Sequence, residues 1–162
     1  MFCKGLPPSI DKDATILILG SMPGVASLHA QQYYAHPMNR FWKVMAAILD
    51  ETLPESYEKK KAMLLRHHIA LWDSIVECER EGSLDSAIRK EVGADIEKLL
   101  VHYPKIQRIC CNGGKSFAAL KKHNKALLKR ENLAIHALPS TSPANARWRL
   151  PLLIDTWKAA LT

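Results

Sequence analysis

The residues best suited to chemistry crowd into one stretch, Gly20 to Val44, GSMPGVASLHAQQYYAHPMNRFWKV. Within it, Tyr33-Tyr34-Ala35-His36-Pro37-Met38-Asn39-Arg40-Phe41-Trp42 combines aromatic faces, amides and cations, the groups needed to hold a nucleobase. Just upstream, Gly20-Ser21-Met22-Pro23-Gly24 follows directly on the apolar run Thr15-Ile16-Leu17-Ile18-Leu19, which reads as a buried strand. A strand running into a glycine- and proline-rich turn exposes backbone N–H groups at its end.

Elements elsewhere must position this segment. Ile69–Trp72, Ile106–Cys111 and Leu133–Leu138 read as three further strands. Helical patterns cover Asn39–Leu49, Ser56–His67, Ala94–Tyr103, a stretch opened by Gly113-Gly114 and running through Leu120, and Pro151–Leu161. Proline in the first turn of the last helix costs nothing, because its missing N–H has no partner there. Strands alternating with helices predict an α/β fold, a three-layer α/β/α sandwich around a four-stranded, mostly parallel sheet. No internal repeat or low-complexity linker interrupts it, so one domain over residues 1–162 is expected.

Ligands of such sheets bind at the carboxyl ends of the strands. The segments that follow the four strands are Gly20–Gly24, then Asp73-Ser74, then Asn112-Gly113-Gly114-Lys115-Ser116, then Pro139-Ser140-Thr141-Ser142-Pro143. All are short and polar or glycine-rich, and the topology would gather them on one edge. Their convergence is the physical argument for a functional site.

Composition narrows the class. The chain has 162 residues, 48% apolar and 24% charged, with a net charge of +7. That is a globular composition, and its excess of cations favours an anionic partner such as nucleic acid over a bare solubility role. No run is long enough to span a bilayer and no signal peptide is apparent, so a cytoplasmic protein with no membrane role is expected. The four cysteines, Cys3, Cys78, Cys110 and Cys111, lack CxxC spacing and pair with no histidine in a zinc pattern. The adjacent His67-His68 offers no metal-ligand geometry either. The spacing favours free buried thiols over a metal or iron–sulfur site.

The ordered set GSMPG, QYYAHPMNRFW, CNGGK and LPSTSPAN resembles the uracil-DNA glycosylase superfamily across Leu17 to Arg147. The segment YAHPMNRFWKV is similar to the mismatch-specific uracil-DNA glycosylase pattern, and the full set looks most like the hypoxanthine-DNA glycosylase branch. The resemblance implies a monofunctional enzyme, without cofactor, acting in the nucleoid on double-stranded DNA that holds a damaged base. It would flip that base out of the duplex, hydrolyse its N-glycosidic bond and leave an abasic site. Extrusion costs a few kcal/mol, recovered by stacking and edge hydrogen bonds in the pocket. No obligate protein partner is evident.

The resemblance also implies roles. Asn39 falls on the motif's catalytic Asn, whose amide oxygen would orient the attacking water; an Asn there equally suits a helix cap. Ser21, Met22, Pro23 and Gly24 would line the base pocket. Related branches carry a water-activating Asp or Asn where this chain has Met22, a departure that leaves Asn39 more of the work. Tyr34 would stack on the flipped base, a contact worth about 1–3 kcal/mol, or else serve the core. Asp73 would accept hypoxanthine's N1–H and so help reject adenine, or cap a turn; Asn112 could provide the same readout. His36 would support its loop. Ser140, Thr141, Ser142 and Pro143 match a DNA-binding loop in which relatives carry His or Asn where Ser140 stands. Pro143-Ala144-Asn145 would probe the base stack. Lys115, Arg147 and Arg149 would contact phosphates or form a solvated basic face. Excision of uracil or xanthine, and a non-catalytic DNA-binding module, are the alternatives.

Overall fold

A computed structural model describes residues 1–162. Seven strands run in chain order as β1 (Phe2–Lys4), β2 (Ile16–Gly20), β3 (Ile69–Asp73), β4 (Ile75–Glu79), β5 (Arg89–Gly93), β6 (Arg108–Asn112) and β7 (Ala134–Leu138). Six helices accompany them: α1 (Val25–Ala30), α2 (Phe41–Ile48), α3 (Tyr57–Arg66), α4 (Ile96–His102), α5 (Gly114–His123) and α6 (Leu150–Leu161). The four expected strands form one parallel sheet in the order β3-β2-β6-β7. The chain leaves β2 for one neighbour, β3, and later returns to its other side as β6. A crevice opens at the carboxyl end of a central strand with such a reversal.

Both faces of the sheet are covered, because successive side chains of a strand point to opposite faces. Ile18, Leu71 and Cys110 face α2, α3 and α6, where Phe41, Trp42, Met45, Met63, Leu64 and Trp157 complete one core. Leu17, Leu19, Ala70, Ile109 and Cys111 face α4 and α5 through Ile96, Leu100 and Leu120. Phe41 and Trp157 are wholly buried, so truncating either would cost about 3–5 kcal/mol. The thiols of Cys110 and Cys111 are pushed up to about 12 by burial and stay protonated.

Several elements depart from expectation. The second helix begins at Phe41 rather than Asn39, whose side chain sits ahead of it as an acceptor. The third and fourth helices start one and two residues late, because Ser56 and Asp95 act as N-caps that accept from Lys59 and Lys98 N–H. Helix α5 runs on to His123, past Leu120. A second sheet, antiparallel and ordered β1-β4-β5, is absent from the sequence reading. Only Ser74 separates β4 from β3, so no turn signal marks a new strand. This sheet rests on a third cluster of Cys3, Met22, Ile75, Cys78, Ile88 and Ala119.

Candidate active site

The last residues of all four parallel strands, Gly20, Asp73, Asn112 and Leu138, line one cleft of about 590 Å³. Ser21, Met22, Pro23, Gly24, Tyr34, His36, Asn39, Ser140, Thr141, Ser142, Pro143, Ala144 and Asn145 line it too. Most of the expected site residues therefore meet. Lys115 and Arg147 are not among the lining residues. Lys115 is held by Glu91 of β5 at 2.5 Å, an ion pair that competes with a phosphate contact; Arg147 is exposed on the segment after Asn145.

The floor is made by Asp73 and Tyr34, which both approach Gly20. A Cβ on Gly20 would stand 2.5 Å from Asp73 Oδ1 and 3.3 Å from the Tyr34 hydroxyl, so any larger residue would displace the Asp73 carboxyl. Asp73 is 4% exposed. Its Oδ2 and the Tyr34 hydroxyl are sealed from solvent without hydrogen-bond partners. Burial pushes the Asp73 carboxyl up to about 8; Arg80 opposes this and Asp85 adds to it. Near neutral pH it is mainly a neutral acid, able to donate as well as accept. Burial likewise raises the Tyr34 hydroxyl, with Asp73 adding to the effect, so it remains a donor.

Tyr34 is placed by a strained backbone. Its φ of 55° lies in the left-handed region, unusual for a bulky residue and often associated with functional sites. Bonds on both sides hold it there. Tyr33 N–H donates to the Tyr57 hydroxyl (3.0 Å), Trp42 Nε1 to Tyr33 O (3.1 Å) and Ala35 N–H to Ser27 Oγ (3.1 Å). One face of the Tyr34 ring stacks on Phe41 at 3.9 Å between centroids, leaving only the opposite face for a base.

Asn39 is committed differently from the sequence expectation. Its Oδ1 accepts from Phe41 N–H (2.9 Å) and from the Thr141 hydroxyl (2.9 Å). A backbone N–H can only donate, so the atom facing it is the oxygen. With both lone pairs engaged, Oδ1 does not orient a water; the free group is the Nδ2 amide. Thr141 N–H and Oγ1 in turn engage Asn112 Oδ1 and Nδ2, both at 3.0 Å. Asn112 thus ties the loop down with the groups expected to read a base. His36 supports its own loop, its Nδ1 accepting from Met38 N–H at 3.1 Å.

Met22 is 5% exposed and packs into the third core cluster. It anchors the turn after β2 by burial rather than by polar chemistry.

Three parts of the site escaped the sequence reading. Arg40 clamps the loop after β7, its guanidinium donating to the carbonyls of Thr141, Ser142, Asn145 and Trp148. Arg80, 3% exposed, donates to Pro23 O behind the turn. The connection from β4 to β5 brings Ser83, Leu84, Asp85 and Ser86 into the wall, and Asp85 Oδ1 accepts from the Ser21 hydroxyl at 2.6 Å. The basic, aromatic-flanked segment around Arg40 was visible; nothing in EGSLDSA marked a cleft wall. Nowhere do three His, Cys, Asp or Glu side chains converge as metal ligands would, and no helix is long and apolar enough to cross a membrane.

The sequence model of the uracil DNA glycosylase superfamily matches residues 7–161. A hypoxanthine DNA glycosylase of Methanosarcina acetivorans is 38% identical over 149 residues, 91% of each chain. One from Methanosarcina barkeri is 35% identical over 145 residues, 89% of each. The solution NMR structure of a Methanosarcina acetivorans protein assigned as a uracil DNA glycosylase superposes with a TM-score of 0.84 at 36% identity, covering 99% of this chain and 97% of that one.

Proposed function

The chain belongs to the uracil DNA glycosylase superfamily, and on that premise we propose that it is a monofunctional DNA glycosylase releasing hypoxanthine from double-stranded DNA. The reading takes residues 1–162 as one domain working on the nucleoid. The observation that carries it is the cleft floor, where the buried Asp73 carboxyl and the buried Tyr34 hydroxyl have unmet hydrogen-bonding capacity. Buried polar groups are normally satisfied, and one left open at a cleft floor fits a missing ligand.

A flipped hypoxanthine offers an N1–H donor beside an O6 acceptor. Neutral Asp73 can meet either group through Oδ1, the oxygen that is not sealed: it accepts from N1–H or, when it carries the proton, donates to O6. This refines the expectation of a carboxylate that only accepts. A neutral acid can also donate to adenine's N1, so rejection of adenine rests on the rest of the wall as well as on Asp73. Uracil and xanthine present the same donor–acceptor pair; hypoxanthine is placed first because both curated relatives act on it.

The open face of Tyr34 bounds the base, and Asn39 Nδ2 donates to the oxygen of the attacking water. Ser140, Ser142, Pro143 and Asn145 form the lip along the DNA, where the Ser140 and Ser142 hydroxyls, which accept within the loop, keep their protons to donate to phosphate without reading sequence. Arg147 and Arg149 extend that lip. Lys115 reaches a phosphate only by leaving Glu91.

The test is a duplex panel containing deoxyinosine, uracil or xanthine, followed by alkaline cleavage of abasic sites. Strand breaks at deoxyinosine that appear only after alkali are expected. No product from deoxyinosine refutes the substrate, and breakage without alkali refutes the monofunctional chemistry.

A further inference from the structure

We propose that Asp85, positioned by Ser21, is the carboxylate that takes the proton from the water attacking the sugar carbon C1′. The inference rests on the glycosylase reading above and assigns the one step that reading leaves without a base.

Two carboxylates line the cleft, Asp73 and Asp85. They sit in opposite environments. Asp73 is 4% exposed, with Oδ2 shut away from solvent, so no water reaches that oxygen. Asp85 lies on the exposed connection between β4 and β5, where an anion keeps its hydration. The remaining candidates are spoken for. Asn39 Oδ1 has two donors, Asn112 is bound on both sides to Thr141, and His36 Nδ1 accepts from its own loop. Met22 has no polar atom to offer and is packed beneath the small sheet.

Asp85 is also the cleft carboxylate held by a second side chain. Ser21 directly follows the end of β2, is 9% exposed, and donates its hydroxyl proton to Asp85 Oδ1 at 2.6 Å. That short bond to a carboxyl oxygen pins an exposed loop to the middle of the parallel sheet. It leaves Oδ2 with no protein partner. Gly20, the residue before Ser21, touches Asp73. One short turn therefore sets the two carboxylates apart, one against the edge of the base and the other beside it in the same cleft.

In the step assigned, the C1′–N9 bond breaks and its electron pair leaves with the purine. The sugar carries the positive charge until the water oxygen bonds to C1′. The water's proton passes to Asp85 Oδ2 and then to solvent, and the purine anion takes a proton from solvent. Before water adds, the same carboxylate stabilises the cationic sugar. Separating the environments of two carboxylates is how one cleft runs both roles.

The experiment compares single-turnover release with duplex binding. Each variant is assayed on whichever of deoxyinosine, uracil or xanthine the wild type releases. Binding is measured on a duplex carrying a tetrahydrofuran abasic analogue. Asp85→Asn lowers the rate by about 100-fold or more, in the range of a lost general base. Its binding is unchanged or tighter, because a negative charge near phosphates is gone. Formate restores part of the rate to Asp85→Ala. Ser21→Ala falls by about 10-fold and Ser21→Thr recovers, as a positioning role requires. Glu81→Gln, on the same connection but paired with the N-terminus, keeps wild-type rates.

An Asp85→Asn rate within about threefold of wild type overturns the assignment while leaving the glycosylase reading intact. So does an equal loss in Glu81→Gln, which would reduce the effect to loop charge. A wild type that releases none of the three bases refutes the glycosylase reading and this assignment with it.

Discussion

The two lips of the cleft are built on opposite plans. The lip after β7, from Pro139 to Trp148, is stitched inward. Arg40 holds four of its carbonyls, and Asn112, Thr141 and Asn39 form a continuous chain of hydrogen bonds beneath it. The lip between β4 and β5, from Glu81 to Ser86, is exposed throughout. It is attached through Ser21–Asp85, Ser83–Val25 and the pair of Glu81 with the N-terminus. A lip whose polar atoms are consumed gains a fixed shape and loses reactive groups. A lip attached at few points keeps a carboxylate free for solvent and substrate. Positioning and chemistry are thus divided between the two sides.

The largest effect expected is on the stitched lip. Arg40→Ala strands several part-buried carbonyls and should cost about 4 kcal/mol in denaturant unfolding, since each unmet group costs about 1–3 kcal/mol. A loss below about 1 kcal/mol would mean that the loop satisfies itself with water, and the contrast between the lips would weaken.

Next comes the floor between them. The folded-state value of Asp73 lies near 8, above that of an unfolded carboxyl. The folded protein therefore binds the extra proton, and its stability falls as pH rises from about 4 to about 8. Burial sets this balance, with Arg80 opposing it and Asp85 adding to it. An amide in place of this carboxyl imitates the neutral acid at every pH. In denaturant unfolding, Asp73→Asn should therefore gain steadily on wild type as pH rises from 4 to 8. Base release by wild type should decline above about pH 8, while the variant's rate stays flat across that range. A wild-type rate that rises through pH 9 would show that the ionised form reads the base.

The smallest effect belongs to the loose lip. Ser83→Ala removes the hydroxyl that accepts from Val25 N–H at 2.9 Å. At this exposed site water replaces the bond, so stability should move by less than about 0.5 kcal/mol in thermal melting. A larger loss would place this lip nearer the stitched one.

Legibility in the sequence followed the same division. The parallel sheet was readable because β2, β3 and β6 are buried on both faces and appear as unbroken apolar runs such as Ile16-Leu17-Ile18-Leu19. Their ends carry glycine, proline and small polar residues, so the floor and the stitched lip were foreseen by type. The atoms they use were not. Asn39 Oδ1 meets Phe41 N–H as a local cap would, but the bond that takes up its remaining lone pair comes from Thr141, 102 residues away, and no local pattern encodes that. The small sheet was missed because β4 follows β3 after one residue and β5, Arg89-Lys90-Glu91-Val92-Gly93, is mostly exposed and charged. Asp85 inherited that invisibility. Lys115 looked like a phosphate ligand until its pairing with Glu91 was set by contact with a strand of that unseen sheet.

The buried cysteines give each half of the molecule its own clock. Cys3 and Cys78 face one another across β1 and β4 of the small sheet, while Cys110 and Cys111 lie in β6 of the large one. Adjacent residues of a strand point to opposite faces, so the latter two do not bridge. A thiol reagent meets each pair only when its own sheet opens. Pulsed alkylation followed by peptide mass mapping therefore times the two openings separately within one unmodified chain. If the lip that carries Asp85 moves with its sheet, Cys3 and Cys78 will be tagged while Cys110 and Cys111 are still silent.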